Sequence, residues 1–488
     1  MQYGQFDEKN REYIIERPDT PRPWSNYLGS ASFGAVITNH GGGYTFFKSA
    51  AQGRLTRYRF NEVPAQQPGK YVYLRDGESG EFWSNGWLPV NTVDSSFQYA
   101  CHHGLGYTRI LSVYRGIRCE VTYFIPLNSL YEVWQIRVRN ESSRERTIQI
   151  FPFLEPQCNW NALDDSTNLQ YTQYIAQTRL IDGIIDIASN INMPEDPEHF
   201  ENKDQKRHTF FAVTGRMPDG YDGDLAEFIG PYGTYARPAA VEAGQCRNSL
   251  AYSDNPCGAF QLNLQLGPGA SDEFAVVFGV GQAEKEGRAV VEQMRDSQKR
   301  NEALAAIREH WQSRLRTLQA ATPDPLFNAM VNTWAPYNNL MTFYWSRTAS
   351  LVYAGERDGL GYRDTVQDCV GSVALIPEET RQRLELMITG QLSNGGALPV
   401  VKPFAHRPGH EQEPPHYRAD DCLWLFMAVP EYIKETGDLD FINRILPYAD
   451  KGEDTVLGHL ERAIYFNLER CGAHGLPCGL FADWNDCV

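Results

Sequence analysis

Near its end the chain reads Phe481-Ala-Asp-Trp-Asn-Asp-Cys-Val488, with two carboxylates, Asp483 and Asp486, set around an indole and an amide. A pyranose ring offers an apolar face for stacking and a rim of hydroxyls for carboxylates and amides, so this set of residues fits a sugar site. Cleaving a glycosidic bond requires a proton on the departing oxygen. A carboxylic acid of raised pKa beside a hydrophobic surface supplies it. Asp and Asn also favour helix N-caps, so the same stretch reads as a cap cluster too.

A second group comprises Arg347, the run Arg357-Asp-Gly-Leu-Gly-Tyr-Arg-Asp364, and Gln367-Asp368. A planar guanidinium can hold sugar hydroxyls or position an anion while a neighbouring carboxylate accepts from a hydroxyl. Arg363 and Asp364 read equally as a structural ion pair at a helix start. His406, His410, Glu411, Glu413 and His416 share one Pro-rich loop, but the spacing is irregular and no helix aligns them, so a substrate-covering loop is predicted and no metal. Asp420-Asp421, just before Leu423-Trp424, reads as a cap of the next helix or as a sugar contact at its N-terminus. His40-Gly-Gly-Gly43 lacks a companion Gly-x-Ser-x-Gly, and Gly279-Val-Gly281 lacks a third glycine, so neither oxyanion-hole nor dinucleotide chemistry follows.

The elements that must position these groups change character along the chain. From roughly Gly29 to Gly281 the pattern is β: Ile117, Cys119, Val121 and Tyr123 alternate with polar residues, as do Trp134, Ile136 and Val138. Many strands with short turns predict a sandwich of antiparallel sheets over residues 1–281. Asn140-Glu-Ser matches a glycosylation sequon and reads more simply as the turn between two strands. Residues 282–321 are rich in Glu, Arg, Gln and Ala and predict a long helical connector, continuous from Ala283 to Ala321. In residues 322–488, Leu326, Met330, Trp334, Tyr337, Met341 and Trp345 recur at helical spacing, with a kink expected at Pro336. Further helices are predicted at Thr365 to Ile376, Glu378 to Gly390, Asp421 to Thr436 and Asp454 to Cys471, the last capped by Gly472.

With 488 residues, 42% hydrophobic, the chain can bury more than one core. Its formal charge of -16, with Lys and Arg interspersed, argues against nucleic acid or an anionic membrane surface as partner. No stretch is long and apolar enough to span a bilayer and the start shows no secretory pattern, so a cytoplasmic location is expected. The ten cysteines form no CxxC pair and are expected as reduced, mostly buried thiols.

In Tyr3-Gly-Gln-Phe-Asp, Arg11-Glu-Tyr and Pro23-Trp-Ser-Asn-Tyr-Leu-Gly29 the chain resembles the cellobiose and chitobiose phosphorylases, family 94 of the glycoside hydrolases. The similarity continues through Gly41-Gly-Gly-Tyr-Thr-Phe-Phe-Lys48, Arg57-Tyr-Arg-Phe-Asn61, Trp160-Asn-Ala-Leu-Asp-Asp165 and Gly361-Tyr-Arg-Asp364 to Ala482-Asp-Trp-Asn-Asp-Cys487. The resemblance implies an N-terminal β-sandwich, a helical linker, an (α/α)6 barrel and a small C-terminal β domain, in a homodimer. It implies an inverting phosphorolysis of a β-linked disaccharide, with cellobiose the first candidate and chitobiose, cellodextrin and laminaribiose close behind, inorganic phosphate as co-substrate and no cofactor. By motif position the acid is Asp486, while Arg347, Arg357 and Asp364 hold the sugar and Trp484 lies beside it. One catalytic carboxyl suffices because phosphate is already an anion and needs only positioning. The resemblance further implies that phosphate and acceptor-sugar residues belong to chain beyond the position of Asp486. A truncated barrel is therefore expected, impaired in activity, or one completed by a second polypeptide. The rival readings are an inverting hydrolase on the same barrel and a catalytically dead sugar-binding remnant.

Overall fold

A computed structural model describes residues 2–59, 62–189, 207–346, 354–355, 359–403, 405–410 and 415–485. The chain divides into two compact units, Met1–Trp311 and Gln312–Val488.

The first unit is built from antiparallel sheets. The largest has ten strands in the order Gly4–Asp7, Glu12–Ile15, Gln98–Gly104, Tyr107–Tyr114, Ile117–Phe124, Tyr131–Asn140, Ser271–Val280, Arg207–Thr214, Ile184–Ser189 and Gln177–Ile181. A five-stranded sheet runs Gly220–Asp224, Pro256–Leu266, Arg146–Leu154, Lys70–Asp76 and Phe82–Ser84, and a four-stranded one spans Ser25–Gly29 to Ser49–Arg54. The alternating residues Ile117, Cys119, Val121 and Tyr123 are all buried, and Val121 pairs with Ile136 across the ladder. A period of two puts such residues on one face, and that face meets the five-stranded sheet. Phe211 of the large sheet stacks on Phe260 of the smaller one, ring centroids 5.4 Å apart. The five-stranded sheet is covered on its other face as well, where Phe153 stacks on Phe228 of the short helix Leu225–Ile229 at 4.9 Å. Burial on both sides explains why Ile150–Leu154 is buried without alternation.

Two polar clusters lie inside this apolar body. Glu132 accepts from Lys70 Nζ at 3.0 Å, Thr45 Oγ1 at 2.8 Å and the Trp134 indole at 2.7 Å, so one carboxylate ties together strands of all three sheets. Arg57 donates to Asp165 at 2.8 Å and to Glu155 at 2.8 Å, joining two of the stretches that carry the resemblance. Buried charges persist only when paired and hydrogen-bonded in this way. Asn140 is the last residue of its strand, just before the turn, and is buried, its amide donating to the Arg144 and Leu266 carbonyls at 2.7 and 2.8 Å. His40 lies in the turn after the hairpin strand Phe33–Thr38 and bonds the Pro18 carbonyl at 2.7 Å, and burial pushes its pKa down to about 4. Seven of the nine described cysteines are buried.

Three details differ from the sequence expectation. Strands begin well before Gly29, at Gly4. The connector is three helical pieces, Ala283–Gly287, Arg288–Met294 and Ser297–Leu315, instead of one. Its break has a side-chain cause: Asp296 accepts from the Gln298 amide at 2.8 Å while Arg300 donates to the Met294 carbonyl at 2.7 Å, so both new ends are capped. The last predicted helix stops at Leu468, and Gly472 instead opens a turn in which it bonds Leu476 at 2.8 Å.

In the second unit, the helical run containing Pro336 starts at Asp324, whose carboxylate accepts from the Leu326 and Phe327 amides at 2.9 and 3.2 Å. It passes through a wide turn, Met330–Trp334, before α1, Ala335–Trp345. Pro336 falls in the first turn of α1, where a missing N–H costs little, and the wide turn accommodates its ring. The helices that follow are α2 (Tyr362–Ser372), α3 (Pro377–Ile388), α4 (Leu425–Thr436) and α5 (Val456–Leu468). Gly437, at φ 73°, closes α4 in the left-handed conformation. Among the described residues no helix is long and apolar enough to cross a membrane.

Candidate active site

α2 is held at its start by a short ladder, Leu360 opposite Val401 and Gly361 opposite Val400, with the Tyr362 amide on the Pro399 carbonyl at 3.1 Å. Gly359 has φ 102°, and a Cβ there would come within 2.1 Å of Val400, so glycine is required for the approach. This ladder fixes the first turn of α2, which carries Arg363 and Asp364. Arg363 is buried; its Nη1 donates to Asp420 Oδ1 at 3.3 Å and to the Asp483 carbonyl. One guanidinium therefore joins three stretches that are remote in sequence, using the fork geometry that lets Arg bind several oxygens at once. The Asp364 carboxylate lies over Gly361, with Oδ2 only 2.8 Å from where a Cβ on that glycine would be.

The stretch bearing the acids and the indole is laid against residues 416–420 by backbone bonds. Phe481 N donates to Tyr417 O at 3.1 Å and Ala419 N to Ala482 O at 2.9 Å, while the His416 and Phe481 rings stack at 5.1 Å. Asp483 Oδ1 accepts from the Asn485 amide at 2.7 Å, a local turn bond. Trp484 is 68% exposed, which leaves an indole face open to a ring-shaped ligand.

Of the residues singled out in the sequence, Asp364 and Trp484 lie in these elements, at the first turn of α2 and in the stretch that Arg363 holds. Asp486, Arg347 and Arg357 lie outside the described residues. Of the two readings of Arg363 and Asp364, as sugar-holding groups or as a structural ion pair, the described contacts show Arg363 paired with Asp420. The Asp420-Asp421 pair makes no side-chain cap: Asp420 Oδ2 accepts from the Trp424 indole at 2.9 Å. Asp421 is 1% exposed, neither of its oxygens has a hydrogen-bond partner, and burial pushes its carboxyl up to about 7. The role of Arg363 as a clamp was not evident in the sequence, because its partners are 57 and 120 positions away.

The loop histidines have separate occupations. His406 is hydrogen-bonded to Thr389 Oγ1 at 3.0 Å, His410 Nδ1 donates to Arg407 O at 3.1 Å, and His416 stacks on Phe481. Glu411 and Glu413 lie outside the described residues. Among the described residues no group of three His, Cys, Asp or Glu is gathered for a metal.

The fold class is multidomain: an N-terminal antiparallel β-sandwich, a helical linker and part of an (α/α)6 barrel. Residues 11–297 match the glycosyl hydrolase 94 supersandwich domain and residues 310–488 the catalytic domain of the glycosyl hydrolase 94 superfamily, and the chain belongs to that family. It is similar to the N,N'-diacetylchitobiose phosphorylase of Vibrio proteolyticus, 36% identical over 100% of this chain and 62% of that protein. It is also similar to the solabiose phosphorylase of Paenibacillus borealis, 28% identical over 99% of this chain and 59% of that one. The chain thus spans about three-fifths of the length of these curated relatives. A solved bacterial glucoamylase in complex with acarbose shares the fold alone, at a TM-score of 0.50 and 11% identity, over 87% of this chain and 61% of that one.

Proposed function

We propose that the chain carries the donor-sugar side of an inverting disaccharide phosphorylase. The observation that carries this reading is the Arg363 clamp: it sets the Asp364 turn and the Asp483–Trp484 stretch side by side, giving carboxylate, guanidinium and open indole within one neighbourhood. In the reaction, a phosphate oxygen attacks the anomeric carbon from the face opposite the departing oxygen. The glycosidic C–O bond breaks, and the Asp486 carboxyl gives its proton to that oxygen. The products are an α-sugar 1-phosphate and a free sugar. Arg347, Arg357 and Asp364 hold the sugar, Trp484 stacks on it, and phosphate is positioned by residues of the whole protein outside this chain's described part.

Residues 1–281 serve as the supporting sandwich, 282–321 as the connector and 322–488 as part of the catalytic barrel. The substrate is a β-linked disaccharide. Cellobiose is the choice from the sequence, and the 36% identity to a relative named for N,N'-diacetylchitobiose favours that sugar over it. No cofactor takes part. Homodimeric assembly comes from the family resemblance, and a cytoplasmic location is the expectation from the sequence pattern.

Two measurements test this reading. Cellobiose and N,N'-diacetylchitobiose are each incubated with the protein with and without inorganic phosphate. Sugar 1-phosphate is expected only when phosphate is present, and sugar release that ignores phosphate would indicate a hydrolase. For the donor subsite, Gly361→Ala places a methyl against the Asp364 carboxylate and displaces it. Losing one hydrogen bond to a charged group corresponds to roughly a tenfold rise in KM for the disaccharide. An unchanged KM with a normal melting temperature would remove Asp364 from the subsite.

A further inference from the structure

Among the described acids of the second unit one carboxyl stands apart. Asp421 is 1% exposed and both of its oxygens lack a hydrogen-bond partner. Other buried acids, such as Glu132 and Asp165, have their oxygens bonded by two or more donors. A charged carboxylate cannot be left this way without a large desolvation cost, so the group keeps its proton.

Its surroundings are charged on several sides. From the first turn of α2 come Tyr362, Arg363 and Asp364; from its own stretch come Arg418, Asp420 and Cys422. Arg418 and Arg363 favour the ionised form, whereas burial, Asp420 and Asp364 oppose it. α5, which packs on the same turn, brings the buried His459, whose two nitrogens are occupied by Gln391 at 2.7 Å and the Leu446 carbonyl at 3.0 Å. Asp483 lies on the stretch that Arg363 holds. The Tyr362 hydroxyl is buried in the same corner, beside the Cys422 thiol.

We infer that Asp421 is a positioning residue: uncharged, it leaves Arg363 on the Asp483 carbonyl and Asp420, and on ionising it draws that guanidinium to itself and loosens the Phe481–Asn485 stretch. The consequence is a pH-controlled seat for Trp484 and whatever the stretch presents to a ligand. As a control on phosphorolysis it rests on the functional reading above; as a structural device it does not. The sign follows from the raised pKa. The closed arrangement holds the Asp421 proton more tightly than an open one with an ordinary carboxyl of 3.8, so closure is favoured at low pH and is lost progressively as pH rises from 3.8 towards about 7.

The test is amide hydrogen exchange on the whole chain, following Phe481 and Ala419, whose N–H groups bond across the seam, with Ala449, bonded to Gln391, as an internal control. After correction for the intrinsic rate, protection at Phe481 and Ala419 is expected to fall on the order of tenfold between pH 5.5 and 7.5, and Ala449 to stay constant. Asp421→Asn, of the same shape and without a proton to lose, is expected to abolish this pH dependence. The same slope in both proteins, or none in the unsubstituted one, would overturn the inference. A second measurement needs no variant: carbon-13 titration of the Asp421 carboxyl should give a midpoint near 7, and a midpoint near 4 would equally overturn it. Neither readout requires turnover, so failure of phosphorolysis and failure of this switch are seen separately.

Discussion

Lys70→Met is expected to destabilise the β-sandwich unit by about 3–5 kcal/mol. Lys70 is 1% exposed and bonds both oxygens of Glu132 at 3.1 and 3.0 Å. Its ammonium also lies 5.7 Å from the centre of the Trp134 ring. Removing the lysine leaves Glu132 as an uncompensated charge among three sheets, with only the Thr45 hydroxyl and the Trp134 indole to bond it. The double substitution Lys70→Met with Glu132→Gln removes both charges, and it should recover most of the loss, since an isosteric neutral pair is often no worse than a buried ion pair. Urea unfolding followed by tryptophan fluorescence measures both. A midpoint unmoved by Lys70→Met would show that the pair contributes nothing.

In the whole enzyme, Asp486→Asn is expected to slow phosphorolysis of an unactivated disaccharide by about 10²–10⁴-fold, or about 3–5 kcal/mol of barrier. The reasoning is chemical: an alkoxide is a poor leaving group, so bond cleavage needs the proton that a carboxyl supplies and an amide cannot. A β-glycoside with a nitrophenolate leaving group needs no such proton, and the variant should cleave it at close to the normal rate. The ratio of the two effects identifies the acid. Equal losses on both substrates would mean that Asp486 holds the sugar or the fold instead, and no loss on either would move the role to another residue.

Much of the first unit was legible because burial and the two-residue period coincide there. Ile117, Cys119, Val121 and Tyr123 were readable as an inward face, and all four are buried. The edge strand Gly4–Asp7 and its neighbour Glu12–Ile15 were not, since four residues give too few alternations, and Glu12 is itself buried against His102 and Tyr107. The connector was readable as helical, but its break at Asp296 depends on Arg300 reaching back to carbonyls of the previous helix. Composition carries no record of that bond. Gly472 illustrates the converse: a glycine after a helical run suggests a cap, yet the run had already ended at Leu468 and the glycine was needed for the following turn.

What the sequence determined by itself was the order of elements, the change from β to helix near residue 282, and the presence of acids beside an indole. Those are properties of neighbouring residues, and local periodicity and side-chain chemistry report them directly. The tertiary structure decided which charges meet. Arg363 meets Asp420 and the Asp483 carbonyl, and the buried Asp421 oxygens are left without a hydrogen bond while Asp420 beside them is bonded twice. Adjacent residues point in different directions from one helical turn, so their environments are set by whatever distant chain packs there.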